Sequence, residues 1–190
     1  MIVTSKFIHY HLPRTGGLAF TKLCNTFLDD IQYQKDTASW IVPEEYNQGL
    51  LEVITFRNLP SWIMSVNLNQ FEPANLNQQS LGRLEEIREN TIQGKILYEG
   101  QWEYVDTIYG QKLKCLDFSN TIALKQENLL QDFDKMLQSL YGKSTAGYKM
   151  ANKFNKLKYP KFMLDEEAID NIYNSNPIWK KVEEKIYYES

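Results

Sequence analysis

Residues 7–20, FIHYHLPRTGGLAF, decide the fold that the sequence predicts. The apolar run from Lys6 to Leu12 has the composition of a buried β-strand, Pro13 ends it, and an apolar helical segment follows Gly17. A strand, a glycine turn and a helix N-terminus together form an anion-binding arrangement, because the first N–H groups of a helix lack partners and its dipole favours negative charge. This stretch therefore predicts a phosphate or sulfate site.

Arg14 adds a fixed positive charge to this loop, since a guanidinium donates parallel hydrogen bonds to phosphate or sulfate oxygens. The loop differs from a Walker P-loop, which ends in Gly-Lys-Ser/Thr, because Leu18 and Ala19 follow the glycines. An ATPase or GTPase site is therefore not expected. The alternative explanation is an ordinary strand–turn–helix corner, in which Gly16 and Gly17 only supply unusual backbone angles.

Residues 52–66, EVITFRNLPSWIMSV, predict a second anion contact. Residues 53–56 are a short apolar run typical of a central parallel strand, and Arg57 follows at its carboxyl end, where open α/β sheets bind ligands. A helix is predicted to begin near Ser61, and Ser65 lies one turn further along it. The alternatives are a surface ion pair for Arg57 and a helix-packing role for Ser65.

Together the two segments resemble the PAPS-dependent sulfotransferases, which take a sulfuryl group from 3′-phosphoadenylyl sulfate (PAPS). PRTGG (13–17) is similar to the 5′-phosphosulfate loop of that family, and the Arg57–Ser65 spacing is similar to its 3′-phosphate motif. The family usually has hydroxyl residues where this chain has Leu18 and Ala19. The resemblance implies that the nucleotide contacts Pro13, Arg14, Thr15, Gly16, Gly17, Leu18, Ala19, Arg57 and Ser65.

A more diffuse similarity covers most of the remaining chain. Residues 124–142 resemble a strand-then-helix segment of the family, and QWEY (101–104) resembles a step found in carbohydrate-type members. NKLKYPKF (155–162) is similar to a late basic loop that folds over the nucleotide, and Lys156 is the cofactor contact predicted from it. The resemblance implies PAPS as donor, adenosine 3′,5′-bisphosphate as product, no metal, and a carbohydrate or small-molecule hydroxyl as acceptor.

Sulfuryl transfer also needs a base that takes the proton of the acceptor hydroxyl. Arg14 is predicted to stabilise charge on the leaving 5′-phosphate, with His11 and Glu44 as the candidate catalytic partners. His11 corresponds to a histidine common just before the family's loop, and Glu44 and Glu45 follow the predicted second strand. The alternatives are a histidine bonded within the sheet end and a plain first-turn acid. His9 alternates to the same face as His11, and we expect it to be structural.

Alternating strands and helices predict a parallel sheet covered on both faces. The resemblance makes this a three-layer α/β/α, P-loop-like sulfotransferase fold. A chain of 190 residues suits one domain, 1–190. The predicted strands are 3–11, 37–42, 51–57, 112–117 and 121–125, and the predicted helices are 17–29, 43–49, 60–69, 81–97, 126–140, 165–174 and 177–187.

Composition excludes several classes of function. The net charge of −3 argues against nucleic-acid binding through the whole surface. No segment has the roughly 18 apolar residues of a membrane span, and no signal peptide precedes the first strand, so a cytoplasmic location is expected. Two other functions stay open: a non-catalytic nucleotide- or carbohydrate-binding relative, and a P-loop kinase-like phosphotransferase.

Overall fold

The computed structural model describes residues 1–35, 46, 49–70, 78–149 and 162–188. No helix within these ranges is both long and apolar enough to cross a bilayer. The strands are β1 (Ile2–Thr4), β2 (Phe7–His11), β3 (Ile31–Gln34), β4 (Leu51–Phe56), β5 (Lys95–Tyr98), β6 (Gln101–Tyr104) and β7 (Thr121–Lys125). The helices are α1 (Gly17–Phe27), α2 (Leu59–Asn69), α3 (Gln78–Ile92), α4 (Val105–Lys114), α5 (Leu129–Tyr141), α6 (Glu166–Asn174) and α7 (Pro177–Tyr188).

The chain divides into two compact units. The first comprises Met1–Arg57 and Asp117–Asn155, and the second comprises Asn58–Leu116 and Lys156–Ser190. The first unit contains a five-stranded sheet, and the second contains a two-stranded hairpin among helices. The single domain expected over 1–190 stays a prediction.

The sheet of the first unit has the strand order β3-β1-β2-β4-β7. β2 and β7 run parallel to β4, whereas β1 runs antiparallel to both of its neighbours. Four of the five strands therefore point the same way, with β1 reversed. The predicted α/β class with a mainly parallel central sheet is confirmed at this level.

One face of the sheet is covered by α1 and α5. Phe20 of α1 makes edge-on ring contacts with Phe7 of β2 and with Phe133 of α5, at centroid distances of 6.1 and 5.6 Å. The three rings are fully buried. Each stabilises the fold by roughly 1.5–3 kcal/mol through burial alone. The apolar stripe predicted for 126–140 is therefore core packing, and residues 126–128 form a short 3-10 turn before the helix.

The single strand predicted for 3–11 is wrong, because the chain folds there into the hairpin β1–β2. The Thr4 hydroxyl oxygen accepts the backbone N–H groups of Lys6 and Phe7, each at 3.1 Å, and so closes the turn. The two strands then pair antiparallel, with Val3 opposite Ile8. This turn has no glycine or proline, which are the usual sequence signals of a chain reversal.

Other predicted elements differ from the structure. The strand predicted for 112–117 is wrong, since α4 continues to Lys114. The helix predicted for 81–97 ends at Ile92, and the chain then forms β5. β3 was not predicted. The elements predicted for 37–42 and 43–49 fall almost entirely outside the described residues, whereas α2, α6 and α7 confirm the helices predicted for 60–69, 165–174 and 177–187.

In the second unit, two helices cap one another. The Asp106 carboxylate at the start of α4 accepts the N–H groups of Ile178 and Trp179, at 2.6 and 3.0 Å. The Asn176 side-chain oxygen, just before α7, accepts the N–H of Asp106 at 3.1 Å. The Trp179 ring then stacks on Trp62 of α2 at a centroid distance of 4.4 Å. These contacts tie α2, α4 and α7 together.

The start of α2 is fixed from two sides. The Asn58 side-chain oxygen accepts the N–H of Ser61 at 3.1 Å, and Pro60 lies in the first turn, where its missing N–H costs nothing. The buried Glu183 carboxylate accepts the N–H of Leu59 at 2.8 Å. Residues 58–61 thus form the turn and helix start that the sequence predicts.

Candidate functional site

The loop between β2 and α1 lies at the carboxyl end of β2. β4 is the parallel neighbour of β2, with His11 opposite Thr55, so Arg57 leaves the sheet at the same edge as the loop. From β2 the chain passes through α1 to β3 on one side, whereas β7, the next strand of this sheet after β4, lies on the other side. Strand order therefore reverses between β2 and β4, which is where open α/β sheets bind ligands.

The backbone of the loop alternates in hand. Arg14 has φ of 64° and Gly16 has φ of 96°, whereas Thr15 and Gly17 do not have positive φ. Alternation of this kind gathers neighbouring N–H groups on one side in the phosphate-binding P-loop. Here the Thr15 N–H points to the Leu12 carbonyl oxygen at 3.4 Å, so Thr15 does not contribute one. A left-handed conformation costs a residue such as Arg14 of order 1–3 kcal/mol. The surrounding structure therefore holds Arg14 in a conformation that the residue does not favour by itself.

The N-terminus of α1 follows directly on this loop. Gly16 is the N-cap residue, no side chain in the described part of the chain caps it, and the first turn carries no acidic residue. The N–H groups of Gly17, Leu18 and Ala19 precede the first intrahelical bond, which Phe20 donates to Gly16. Leu18 is 49% exposed and Ala19 is buried. Because both side chains are apolar, the only polar groups that these two residues offer are those of the backbone.

Glycine is required at both loop positions, for different reasons. Gly16 has a left-handed φ, and a Cβ there would also lie 3.2 Å from Cγ of Gln126. A Cβ on Gly17 would lie 2.7 Å from Nδ1 of the His11 ring and closer still to two of its carbons. The start of α1 therefore rests directly on the His11 imidazole, and the glycine pair does more than form a turn.

Buried polar side chains form a floor beneath the loop. The Thr15 hydroxyl lies 2.8 Å from the Leu12 carbonyl oxygen and 3.1 Å from the Thr55 hydroxyl, which in turn lies 3.3 Å from Nε2 of His9. The His9 ring packs on Phe20 at a centroid distance of 3.9 Å. The Thr15 hydroxyl is thus used inside the protein, which disfavours its predicted contact with a ligand.

The two predicted anion-binding arginines both belong to the first unit. Arg14 is partly buried, and burial lowers the pKa of its guanidinium, although an arginine stays protonated at neutral pH. Arg57 is also partly buried where it follows β4. Ser65 is buried in α2 of the second unit, so its predicted pairing with Arg57 stays a prediction.

The structure disfavours His11 as the catalytic base. Its side chain is 6% exposed, and burial, followed by the amino group of Met1, lowers its pKa to about 4. A general base is most effective when its pKa lies near the working pH. Glu44 and Glu45, the other candidates, lie outside the described residues, as does the predicted cofactor residue Lys156.

Acid is expected to destabilise the protein partly through His11. A histidine of the unfolded chain titrates near 6.5, whereas His11 in the folded protein stays neutral down to about 4. Between these values the unfolded chain binds more protons than the folded protein. Through this group the free energy of unfolding therefore falls by up to about 1.4 kcal/mol for each unit by which the pH is lowered. His11→Gln should therefore reduce the slope of the free energy of unfolding against pH, whatever the stability of the variant at neutral pH. Urea unfolding at about pH 7, 6 and 5 measures the slope, and an equally steep profile in the variant contradicts the prediction.

Sequence reasoning missed Thr55. Its signal was a polar residue in the apolar run 53–56, two positions before Arg57. Strand alternation places Thr55 on the same face as Val53, which is the face that packs against α1 and α5. A hydroxyl at a strand end on the core side needs a buried partner, and Thr15 of the loop is that partner.

Comparison of the chain with protein-family models, curated proteins and solved structures gave no match. Within the described ranges, no group of three or more His, Cys, Asp or Glu side chains is arranged to hold a metal ion.

Proposed function

We propose that this protein is a PAPS-dependent sulfotransferase that transfers a sulfuryl group to a hydroxyl of a carbohydrate or small molecule. The observation that carries the proposal is the loop at 13–17, where an alternating backbone, a helix N-terminus and Arg14 meet at the reversal of strand order. The sequence resemblance of this loop and of the Arg57 segment to the family supports it. The three-layer P-loop-like sulfotransferase fold and the cytoplasmic location belong to the same proposal.

The first unit supplies two anion contacts at neighbouring strand ends. The N–H groups of residues 16–19 receive the 5′-phosphosulfate, and Arg14 reaches its oxygens. Arg57 receives the 3′-phosphate of the same nucleotide, because its strand lies beside β2 and ends at the same edge. Ser65 and Lys156 complete the nucleotide contacts in this proposal. PAPS fits such a pair of sites because it carries phosphate on both sides of its ribose.

The reaction breaks the bond between sulfur and the bridging oxygen of the 5′-phosphate. The acceptor oxygen forms a new bond to sulfur, its proton passes to a base, and adenosine 3′,5′-bisphosphate leaves with the electron pair of the broken bond. By analogy with phosphoryl transfer, the transition state is loose, so positioning and electrostatic stabilisation dominate. Arg14 stabilises the charge that develops on the leaving phosphate, and Glu44 and Glu45 are the remaining predicted bases.

A non-catalytic nucleotide-binding relative is the second candidate. The burial of His11 favours it, because this disfavours one of the three predicted bases, His11, Glu44 and Glu45. Ala19 favours it as well, since its buried methyl group offers no hydroxyl to the 5′-phosphate. Such a protein would bind adenosine 3′,5′-bisphosphate without transferring sulfate.

Transfer of radiolabelled sulfate from PAPS to a panel of sugars, phenols and alcohols tests the proposal. We expect labelled product with or without a magnesium chelator, and loss of product in Arg14→Ala. Binding of adenosine 3′,5′-bisphosphate without transfer to any acceptor, and without slow hydrolysis of PAPS, favours the non-catalytic relative. Magnesium-dependent phosphoryl transfer from ATP identifies a kinase-like enzyme and contradicts the proposal.

A further inference from the structure

A directional chain of hydrogen bonds runs through the floor beneath the loop. The Leu12 carbonyl oxygen can only accept, so the Thr15 hydroxyl, 2.8 Å away, donates to it. The Thr15 proton is then used, so the Thr55 hydroxyl, 3.1 Å away, donates to Thr15. The Thr55 proton is used in its turn, so His9 donates to Thr55 through Nε2, at 3.3 Å. One tautomer of His9 and one orientation of each hydroxyl follow.

All three side chains of this hydrogen-bond chain are shielded from solvent. His9 and Thr15 are 0% exposed and Thr55 is 1% exposed. Burial lowers the pKa of His9 well below its ordinary value, and the neighbouring His11 lowers it further, so the ring is neutral and carries the single proton that the chain needs. A buried hydroxyl that loses its partner finds no water to replace it. The removal of one side chain therefore weakens the other hydrogen bonds of the series.

This series of hydrogen bonds ends at Thr15, in the middle of the loop. Thr15 lies between the two left-handed residues Arg14 and Gly16, and its N–H also points to the Leu12 carbonyl, at 3.4 Å. A shift of the Thr15 side chain therefore changes the backbone angles on both sides of it. Thr55 lies on β4 and His9 on β2, and both strands are fixed in the sheet. Two rigid strands thus determine the position of the residue at the centre of the loop.

We propose that Thr55 and His9 are positioning residues, which hold the loop in its anion-binding shape before the ligand arrives. The proposal rests on the proposed function of the loop as the site for the 5′-phosphate. Neither residue contacts the ligand in this account, and both act through Thr15. A loop that is ordered beforehand binds more tightly, because the ligand does not have to order it.

Two variants of Thr55 and one control separate this role from general stability. Thr55→Val keeps the shape of the side chain and removes the hydroxyl, whereas Thr55→Ser keeps the hydroxyl and removes a methyl group. Ile54→Val is the matched control, since Ile54 is 2% exposed on the same strand and points to the opposite face. It weakens the core without touching the loop.

The first readout needs no ligand. NMR should show His9 as the Nε2–H tautomer, and exchange of the Thr15 amide should be about tenfold faster in Thr55→Val than in the wild type or Thr55→Ser, as expected for one lost hydrogen bond. The second readout is calorimetric titration with adenosine 3′,5′-bisphosphate. Thr55→Val should bind it about tenfold more weakly, with Thr55→Ser and Ile54→Val close to the wild type.

The outcomes are distinguishable. Equal amide exchange and equal affinity in Thr55→Val and Ile54→Val overturn the positioning role, as does an Nδ1–H tautomer of His9. If the wild type does not bind the nucleotide but the Thr15 amide loses protection in Thr55→Val, the hydrogen-bond chain stands and the proposed function fails. If Thr55→Ser behaves as poorly as Thr55→Val, packing and not the hydroxyl orders the loop, and the proposal is wrong.

Discussion

Gly17→Ala is expected to lower the free energy of unfolding by about 3 kcal/mol, the upper range for an overpacked core position. The added Cβ would lie 2.7 Å from Nδ1 of His11, and closer to two ring carbons. The ring has little room to move, because it is buried and lies 5.6 Å from the stacked ring of His9, measured between centroids. Denaturant unfolding at neutral pH measures the change.

Gly82→Ala is the matched control for this prediction. Gly82 lies within α3, and a Cβ there would meet no atom within 4 Å. The alanine should therefore stabilise the helix by up to about 1 kcal/mol, since glycine is the poorer helix former. Opposite signs for the two variants are expected. The addition of His11→Ala to Gly17→Ala should recover part of the loss, and strictly additive effects contradict the predicted contact.

Arg14→Ala is expected to lower the turnover rate by about 10²–10³-fold, with a smaller loss of nucleotide affinity. In the proposed reaction the Arg14 guanidinium faces oxygens whose negative charge grows as the S–O bond breaks, so it is expected to stabilise the transition state more than the bound substrate. Arg14→Lys keeps the charge and should retain most of the rate. The measurement is kcat and KM for labelled sulfuryl transfer, or for slow hydrolysis of PAPS where no acceptor is known.

Arg57→Ala should change KM more than kcat, in contrast to Arg14→Ala. Arg57 is proposed to hold the 3′-phosphate equally before and during the reaction, so its loss should raise KM by the equivalent of about 1.5–3 kcal/mol and leave kcat nearly unchanged. Arg88→Ala is the control, because Arg88 is an exposed arginine of α3 that pairs with Glu85 at 3.3 Å. Normal turnover in Arg14→Ala, combined with poor donor binding, would show that Arg14 only binds.

The sequence predicts the site loop and its strand because the signals there are local. Glycines after an apolar run mark the turn, and Arg57 marks the end of the next parallel strand. Strand alternation also predicts that His9 and His11 share a face. The burial of His11 could not be predicted in this way, since it depends on α1 packing back onto β2 through Gly17.

One error has a local cause, and the others arise where distant residues decide the structure. The β1–β2 turn is closed by a threonine hydroxyl and not by glycine or proline. α4 runs through a segment predicted in part as a strand, and the N–H of Asp106 in its first turn is capped by Asn176, 70 positions away in the chain. The floor beneath the loop likewise joins Thr15 to Thr55 across 40 positions. Propensity and periodicity contain no information about such pairs.

The measurement that tests the central claim most directly is calorimetric titration of the wild-type protein with adenosine 3′,5′-bisphosphate and with adenosine 5′-phosphate. The claim is that the loop at 13–17 and Arg57 bind the two phosphates of one nucleotide. The bisphosphate should therefore bind with 1:1 stoichiometry and about 10- to 150-fold more tightly than the monophosphate, which leaves Arg57 without its ligand. Equal affinity for the two nucleotides, or no binding of either, would contradict the claim.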